Sequence, residues 1–239
     1  MKLLFVAVAL LAVALGQTCT TERDALEAIY DATNGLDWTV ANNWLSNDPH
    51  CEWTGVSCNS SGWVVLIDLS SFGLTGSIPD EIGCFPFIKT LYLNDADMNT
   101  AIPDSICLLQ ALKYFQIQDA GLVGDIPECM CTMEYMQYFY ATNNQLQGTI
   151  PACVNQMTYL REIHVDCNLL EGDVPVEFDE LTFLEELHVQ CNFDLTCTDL
   201  DGDFIYLCGT DDCDDCPIEP LQCPAFIEVP GCGLYAPNL

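Results

Sequence analysis

Basic residues are what this chain most lacks: it has 5 Lys and Arg against 36 Asp and Glu, a formal net charge of -31 and a pI near 4.1. Nucleic acid is bound by clustered cations that neutralise phosphates, and an anionic bilayer surface makes the same demand, so neither is a partner of this chain. The excess acid is first of all a solvated exterior. Histidine is almost as scarce, with only His50, His164 and His188. No Gly-x-Ser-x-Gly sequence occurs. Because a nucleophile, a base and an orienting group must converge in a pocket, enzymatic activity is not expected and no cofactor is implied. Long apolar runs are missing too, apart from the 13 residues from Leu3 to Leu15, which fall short of the roughly 20 needed to span a bilayer. With Lys2 before the run and Ala14-Leu15-Gly16 after it, residues 1–16 read as a secretory signal cleaved before Gln17, with no membrane insertion afterwards.

Cysteine, in contrast, is abundant. All 16 cysteines follow the expected cleavage point. An even number on an oxidising route makes disulfides the default.

The dominant pattern is a period. Ile78-Pro79, Ile102-Pro103, Ile126-Pro127, Ile150-Pro151 and Val174-Pro175 recur every 24 residues. Aligning on the proline produces apolar columns: Ile67, Leu91, Phe115, Phe139, Ile163, Leu187, then Leu69, Leu93, Ile117, Ala141, Val165, Val189, and later Leu74, Met98, Leu122, Leu146, Leu170. Alternation within each unit predicts one short strand per turn. Gly76, Gly124, Gly148 and Gly172 follow the last column by two residues, with Thr100 in the remaining place; a bend without Cβ is expected there. Repeats of this length with regular Leu positions predict an α/β solenoid, a leucine-rich-repeat right-handed superhelix with a parallel concave β-sheet.

The wording of the repeat, Leu-x-Gly-x-Ile-Pro after an Asn-x-Leu position, resembles the plant-type extracellular leucine-rich-repeat family, which includes polygalacturonase-inhibiting proteins and receptor-kinase ectodomains. The resemblance extends to Cys51-Glu52-Trp53-Thr54-Gly55-Val56-Ser57-Cys58, similar to the family's N-terminal cap, and covers about residues 20–195. It implies a Cys51–Cys58 bridge. Thr21 and Asp24 suit a capping box for a helix carrying Leu26, Ile29 and Tyr30, which Asn34-Gly35 would stop. The Asn column is present only at Asn144, Asn168 and Asn192; Phe72, Ala96 and Ala120 stand there in earlier turns, which predicts a Phe and Ala spine in place of a hydrogen-bond ladder.

Three cysteine pairs lie one full repeat apart, and neighbours on stacked turns sit about 5 Å from each other. The spacing predicts Cys107–Cys131, Cys129–Cys153 and Cys167–Cys191, with Cys84–Cys107, 23 residues apart, competing for the first. The expected divisions are a signal peptide at 1–16, an N-terminal cap at 17–62, the solenoid at 63–192 and a disulfide-bonded, Cys-rich acidic cap at 193–239. In that tail, Cys213-Asp-Asp-Cys216 could be half of a zinc site, but disulfides fit a secreted chain better. Asp199-Leu-Asp201-Gly-Asp203 lacks the distal Glu of a calcium loop and reads as a solvated acidic turn. Asn59-Ser60-Ser61 is the one Asn-glycosylation acceptor.

Residues between the inward columns should face outward on the concave sheet. They place Tyr92, Tyr114, Tyr138 and Tyr140 together with Asn94, Gln116 and Gln118 mid-sheet, and Glu162, His164, Asp166, Glu186 and His188 towards the C-terminal end. Tyrosine offers rigid contact area with a polar tip, and neighbouring carboxylates select Lys or Arg. These residues predict a face for a protein or peptide ligand, basic in character. Within the family resemblance the ligand would be a secreted hydrolase or a membrane receptor; a polysaccharide or calcium held on the acidic exterior of a matrix protein is the other reading. His164 and His188 stand one turn apart beside Glu162 and Glu186, a set suited to a metal, but nothing in the sequence fixes its geometry and no metal is assigned.

Overall fold

The computed structural model describes residues 21–192, 194–198 and 200–207. The leader and everything after residue 207, including the Cys213-x-x-Cys216 pair, lie outside the described residues.

Helix α1, Glu22–Ala32, begins where Thr21 accepts a bond from the Asp24 N–H at 3.1 Å, satisfying one of the donors a helix start leaves open. It buries Ala25, Leu26, Ile29 and Tyr30 and ends as Asn34 turns left-handed at φ 54°. Tyr30, Trp38, Trp44, Trp53 and Phe72 pack ring against ring with centroids 4.9–5.9 Å apart. This cluster covers the first turn, whose apolar side would otherwise face water.

The strands in chain order are β1 Val56–Cys58, β2 Val64–Asp68, β3 Thr90–Tyr92, β4 Tyr114–Gln116, β5 Val123–Asp125, β6 Tyr138–Tyr140, β7 Gln145–Gln147, β8 Glu162–His164, β9 Glu171–Asp173, β10 Glu186–His188, β11 Asp194–Thr196 and β12 Ile205–Leu207. One sheet runs β1-β2-β3-β4-β6-β8-β10-β12, parallel throughout except for the antiparallel β1–β2 pair. Register follows the repeat, joining Leu66, Thr90, Tyr114, Tyr138, Glu162 and Glu186 in one row. Glu186 then pairs with Ile205. The stack therefore continues past residue 192, where the 24-residue spacing predicts that it ends, because a shorter turn still returns the backbone to the open edge of β10. Two short parallel pairs, β5–β7 and β9–β11, form beside it.

The core is the set of inward columns. Ile67, Leu91, Phe115, Phe139, Ile163 and Leu187 are at most 4% exposed, each stabilising the stack by about 1.5–3 kcal/mol on burial. The repeated prolines have a physical role. Pro79, Pro103, Pro127, Pro151 and Pro175 each precede a five-residue 3-10 turn, with φ from -58° to -77°, and the ring presets that φ where a helical start needs no N–H. Gly76 is left-handed at φ +87°, and a Cβ there would lie 2.3 Å from the Ala32 carbonyl. Where Thr100 replaces the glycine, the left-handed position moves to Asn99, at φ 46°.

Asn144, Asn168 and Asn192 are buried and form a ladder. The Asn168 Oδ1 accepts the Leu146 N–H at 2.9 Å, while its Nδ2 donates to the carbonyls of Ala141, Val165 and Asp166. Asn144 likewise accepts from Ala120 and Leu122. In the earlier turns Phe72 and Ala120 fill the column and are buried, as the sequence predicts, and backbone bonds such as Ala96 N–H to Asp119 C=O link the turns.

Cys51 and Cys58 are bridged. The other predicted pairings need correction: Cys107 joins Cys129 and Cys131 joins Cys153, both across 22 residues with Cα atoms 5.8 Å apart. Neither Cys107–Cys131, Cys129–Cys153 nor Cys84–Cys107 forms. These cysteines sit on the 3-10 turns, where residues a full repeat apart project their Cβ atoms in the same direction. Buried Cys107 and Cys131 meet instead the more exposed Cys129 and Cys153, displaced by two positions, so that the Cβ vectors converge. Cys84, Cys167, Cys191 and Cys197 are also disulfide-bonded. Cys167 and Cys191 are not bridged to each other, against the expectation from their spacing. Both cysteines are left-handed, at φ 51° and 58°, in the same column as Ser71, Asp95, Asp119 and Asn143.

Candidate functional site: the concave sheet

Sequence alternation correctly brings the outward residues of β3, β4, β6, β8 and β10 onto one face. Tyr114 and Tyr138 stack with centroids 4.8 Å apart and planes 5° from parallel. Tyr138 meets Tyr140 edge-on at 6.3 Å, Tyr140 stacks on His164 at 4.6 Å, and His164 stacks on His188 at 3.9 Å and 4°. In-register parallel strands hold equivalent side chains one strand spacing apart, which accounts for the stacked runs Tyr114–Tyr138 and Tyr140–His164–His188; the edge contact between Tyr138 and Tyr140, two residues apart on β6, joins the two into one ladder.

Carboxylates flank its C-terminal end. The Tyr140 hydroxyl donates to Glu162 Oε2. Glu186 Oε2 lies 3.3 Å from His164 Nε2 and 3.5 Å from His188 Nε2, and Glu162 Oε2 lies 4.0 Å from His164 Nε2. His164 Nε2 is buried and makes no hydrogen bond. Burial, then the neighbouring His188, lowers the His164 pKa against the opposing pull of Asp166, Glu162 and Glu186, a shift that favours the neutral ring. Burial foremost, with the Glu162 carboxylate next, raises the Tyr140 phenol well above its ordinary range. Tyr92 and Tyr138 shift upward as well, chiefly by burial.

Two of the predicted contact residues also brace the fold. Asp166 is 8% exposed and accepts the Thr142 hydroxyl at 2.8 Å. Asn94 accepts the Gln118 N–H at 2.9 Å and donates to Gln116 Oε1 at 3.3 Å. Both tie neighbouring turns together; Asp166 is buried, while Asn94 stays half-buried on the face beside Tyr92, Gln116, Gln118 and the ring ladder. Asn59 is exposed and its Oδ1 accepts the N–H groups of Ser61 and Trp63 in the turn between β1 and β2, away from the ladder.

The structure also carries a second aromatic row that sequence reasoning passed over. Tyr135, Tyr159 and Phe183 are 42–51% exposed and nearly parallel, with centroids 5.7 and 6.2 Å apart; Trp63 and Phe87 continue the column. Two residues on in the same turns stand Lys89, Lys113 and Arg161, of which Arg161 pairs with Glu185. The signal was available one column before the strands in the 24-residue alignment. A shallow groove on another edge, lined by Asp125, Thr149, Ile150, Asp173, Val174 and Pro175, follows from the Ile-Pro column. Among the described residues no helix is long and apolar enough to cross a membrane.

Comparison with known proteins agrees with this geometry. The family description "Leucine rich repeat N-terminal domain" matches residues 19–59. The receptor-like kinase TMK4 of Arabidopsis thaliana is 35% identical over 83 residues, 34% of this chain and 9% of that protein; the chain thus spans under a tenth of the length of the curated relatives it matches. A plant ice-binding protein superposes with a TM-score of 0.65 at 25% identity, covering 70% of this chain and 56% of the other. The plant peptide hormone receptor RGFR1, solved in complex with RGF2, superposes with a TM-score of 0.52 at 28% identity over 56% of this chain and 21% of that one. The chain has the leucine-rich-repeat fold and resembles both the ectodomains of plant receptor kinases and a plant ice-binding protein of the same architecture.

Proposed function

We propose that this leucine-rich-repeat chain is a secreted recognition module that binds a protein or peptide partner on its concave sheet. The observation that carries the reading is the continuous ladder Tyr114-Tyr138-Tyr140-His164-His188, assembled before any partner arrives. Rings already stacked in place lose little side-chain freedom on binding, which is where interface affinity is commonly lost. Glu162 and Glu186 beside the ladder favour a partner presenting Lys or Arg, and the net charge of -31 steers such a partner inward. Seven parallel strands at roughly 4.8 Å spacing give a face about 30 Å long, enough for about 800 Å² per partner. Likeness to a receptor solved with a peptide hormone supports a peptide or co-receptor ligand, and the match to an N-terminal cap domain of extracellular proteins supports action outside the cell.

The test is affinity capture from the producing organism's medium and surface extract, comparing the parent with a variant in which Tyr92, Tyr138 and Tyr140 are changed to Ala. The expected result is a protein retained by the parent, lost by the variant, and released as salt rises. Its identity as hydrolase or receptor then separates an inhibitor from a signalling module. Polysaccharide captured equally by both versions and released by chelator would overturn the reading in favour of a matrix role for the acidic exterior.

A further inference from the structure

The C-terminal end of the ladder has the makings of a metal centre. One ring nitrogen of His164, one of His188 and a carboxylate oxygen of Glu186 all lie within 4.8 Å of one another. The two Nε2 atoms stand 3.3 and 3.5 Å from the same Glu186 Oε2. An ion bound tetrahedrally at about 2.0–2.1 Å separates its ligands by roughly 3.4 Å, so the spacing already present is that of a coordination edge. Both Nε2 atoms face the one carboxylate, and the rings, stacked 3.9 Å apart and 4° from parallel, have to tilt apart about their side-chain torsions to aim their lone pairs at a shared ion. The His164 Nε2 is buried with no hydrogen bond, an orphan that a polar group in a folded protein seldom remains without a reason.

We infer that His164, His188 and Glu186 form a binding site for a first-row transition-metal dication, with Zn2+, Co2+, Ni2+ and Cu2+ as the matching class. Two imidazoles and one carboxylate suit these ions, whereas Ca2+ and Mg2+ demand six or more oxygens or near-octahedral waters. Three protein ligands leave a fourth position open, the arrangement of sites that accept water or a further ligand. Glu162 completes the surroundings: its Oε2 lies 4.0 Å from His164 Nε2 and accepts the Tyr140 hydroxyl, which holds it as a second carboxylate beside the ion. The ligands come from two adjacent strands, β8 and β10, so their spacing is fixed by the sheet. The site does not depend on the identity of any protein partner.

The experiment is titration of chelator-stripped protein with Co2+, read by visible absorption, and with Zn2+ in competition with a chromophoric chelator, both in millimolar Ca2+ to occupy the acidic exterior. One equivalent of Co2+ with the intense visible bands of four-coordination is expected. His164→Gln and His188→Gln should each weaken Zn2+ binding at least tenfold, and Glu186→Gln comparably, while His50→Gln leaves it unchanged. Should a variant fail to fold, the parent protein answers through its histidine ring resonances: Zn2+ must shift those of His164 and His188 and spare His50. Undiminished binding in the His164→Gln/His188→Gln double variant, absence of Ca2+-resistant binding, or a shift confined to His50 would overturn the inference.

Discussion

Replacing Glu22 by Gln should stabilise the N-terminal cap by an amount that is near zero in acid and grows as pH rises from 4.5 to about 7. The Glu22 side chain is 3% exposed; its Oε2 accepts the Val64 N–H at 2.9 Å, and its Oε1 has no partner. Burial raises its pKa from 4.5 to about 7, with the Val64 bond opposing in part. The nearest titratable group, His50 Nε2 at 3.8 Å, offers little compensation, because burial and then Arg23 lower its own pKa. A carboxyl whose folded pKa exceeds its unfolded one holds its proton more tightly in the native state. The associated stability is complete below pH 4.5 and is lost as pH rises through about 7. At about 1.4 kcal/mol per pH unit, the interval is worth about 3 kcal/mol. The amide of Gln still accepts from Val64 but never ionises. Denaturant unfolding of both proteins from pH 4 to 8, followed by the fluorescence of Trp38, Trp44 and Trp53, should show a stability difference growing from near zero to about 3 kcal/mol in favour of the variant. Effects of the remaining acids cancel in that difference. A flat difference across the range, or a variant less stable at pH 8, would refute the reasoning.

Asn168→Ala removes the acceptor of the buried Leu146 N–H and the donor to three carbonyls; chemical denaturation should report a loss of about 2–4 kcal/mol. Changing Cys107 and Cys129 together to Ser opens a 22-residue loop and should cost about 3 kcal/mol, with peptide mapping of the unreduced parent recovering Cys107 joined to Cys129 and never to Cys131. Tyr140 should be among the last tyrosines to form phenolate on alkaline titration, well above the usual value near 10, and Tyr140→Phe should remove that late step from the 295 nm absorbance curve; an unchanged curve would show that the late step belongs to another tyrosine and that burial and Glu162 do not raise Tyr140 as described.

How much of this was legible in the sequence depended on whether a property repeats. Columns such as Leu91, Phe115 and Phe139 recur at fixed intervals, so strand, register and inward face follow from alignment alone. The adjacency of His164 and His188 was readable for the same reason. Which carboxylate would face them was not, because Glu162 is engaged by Tyr140 and only side-chain packing decides that Glu186 turns to both rings. Bridges failed on direction: spacing tells which turns Cys107 can reach, but not where its Cβ points on a 3-10 turn. Asp166 alternates outward by count yet is drawn in by Thr142. Strand β12 escaped notice because it returns after a short turn, and pairing to an open edge demands backbone geometry instead of a repeat.

The diagonal bridges limit what a protease can do to this chain. A backbone cut anywhere between Cys107 and Cys129, or between Cys131 and Cys153, falls inside a closed covalent loop and cannot release either fragment. The two loops meet without overlapping, so where these two bridges alone hold the chain, the bonds they leave open between Cys107 and Cys153 are those joining Cys129 to Cys131 through Met130. That residue is 2% exposed and lies within a 3-10 turn, whereas a protease needs an accessible, extended stretch. The middle of the solenoid can therefore be nicked and remain in one piece, and the single opening in its covalent chain mail is closed by the fold itself.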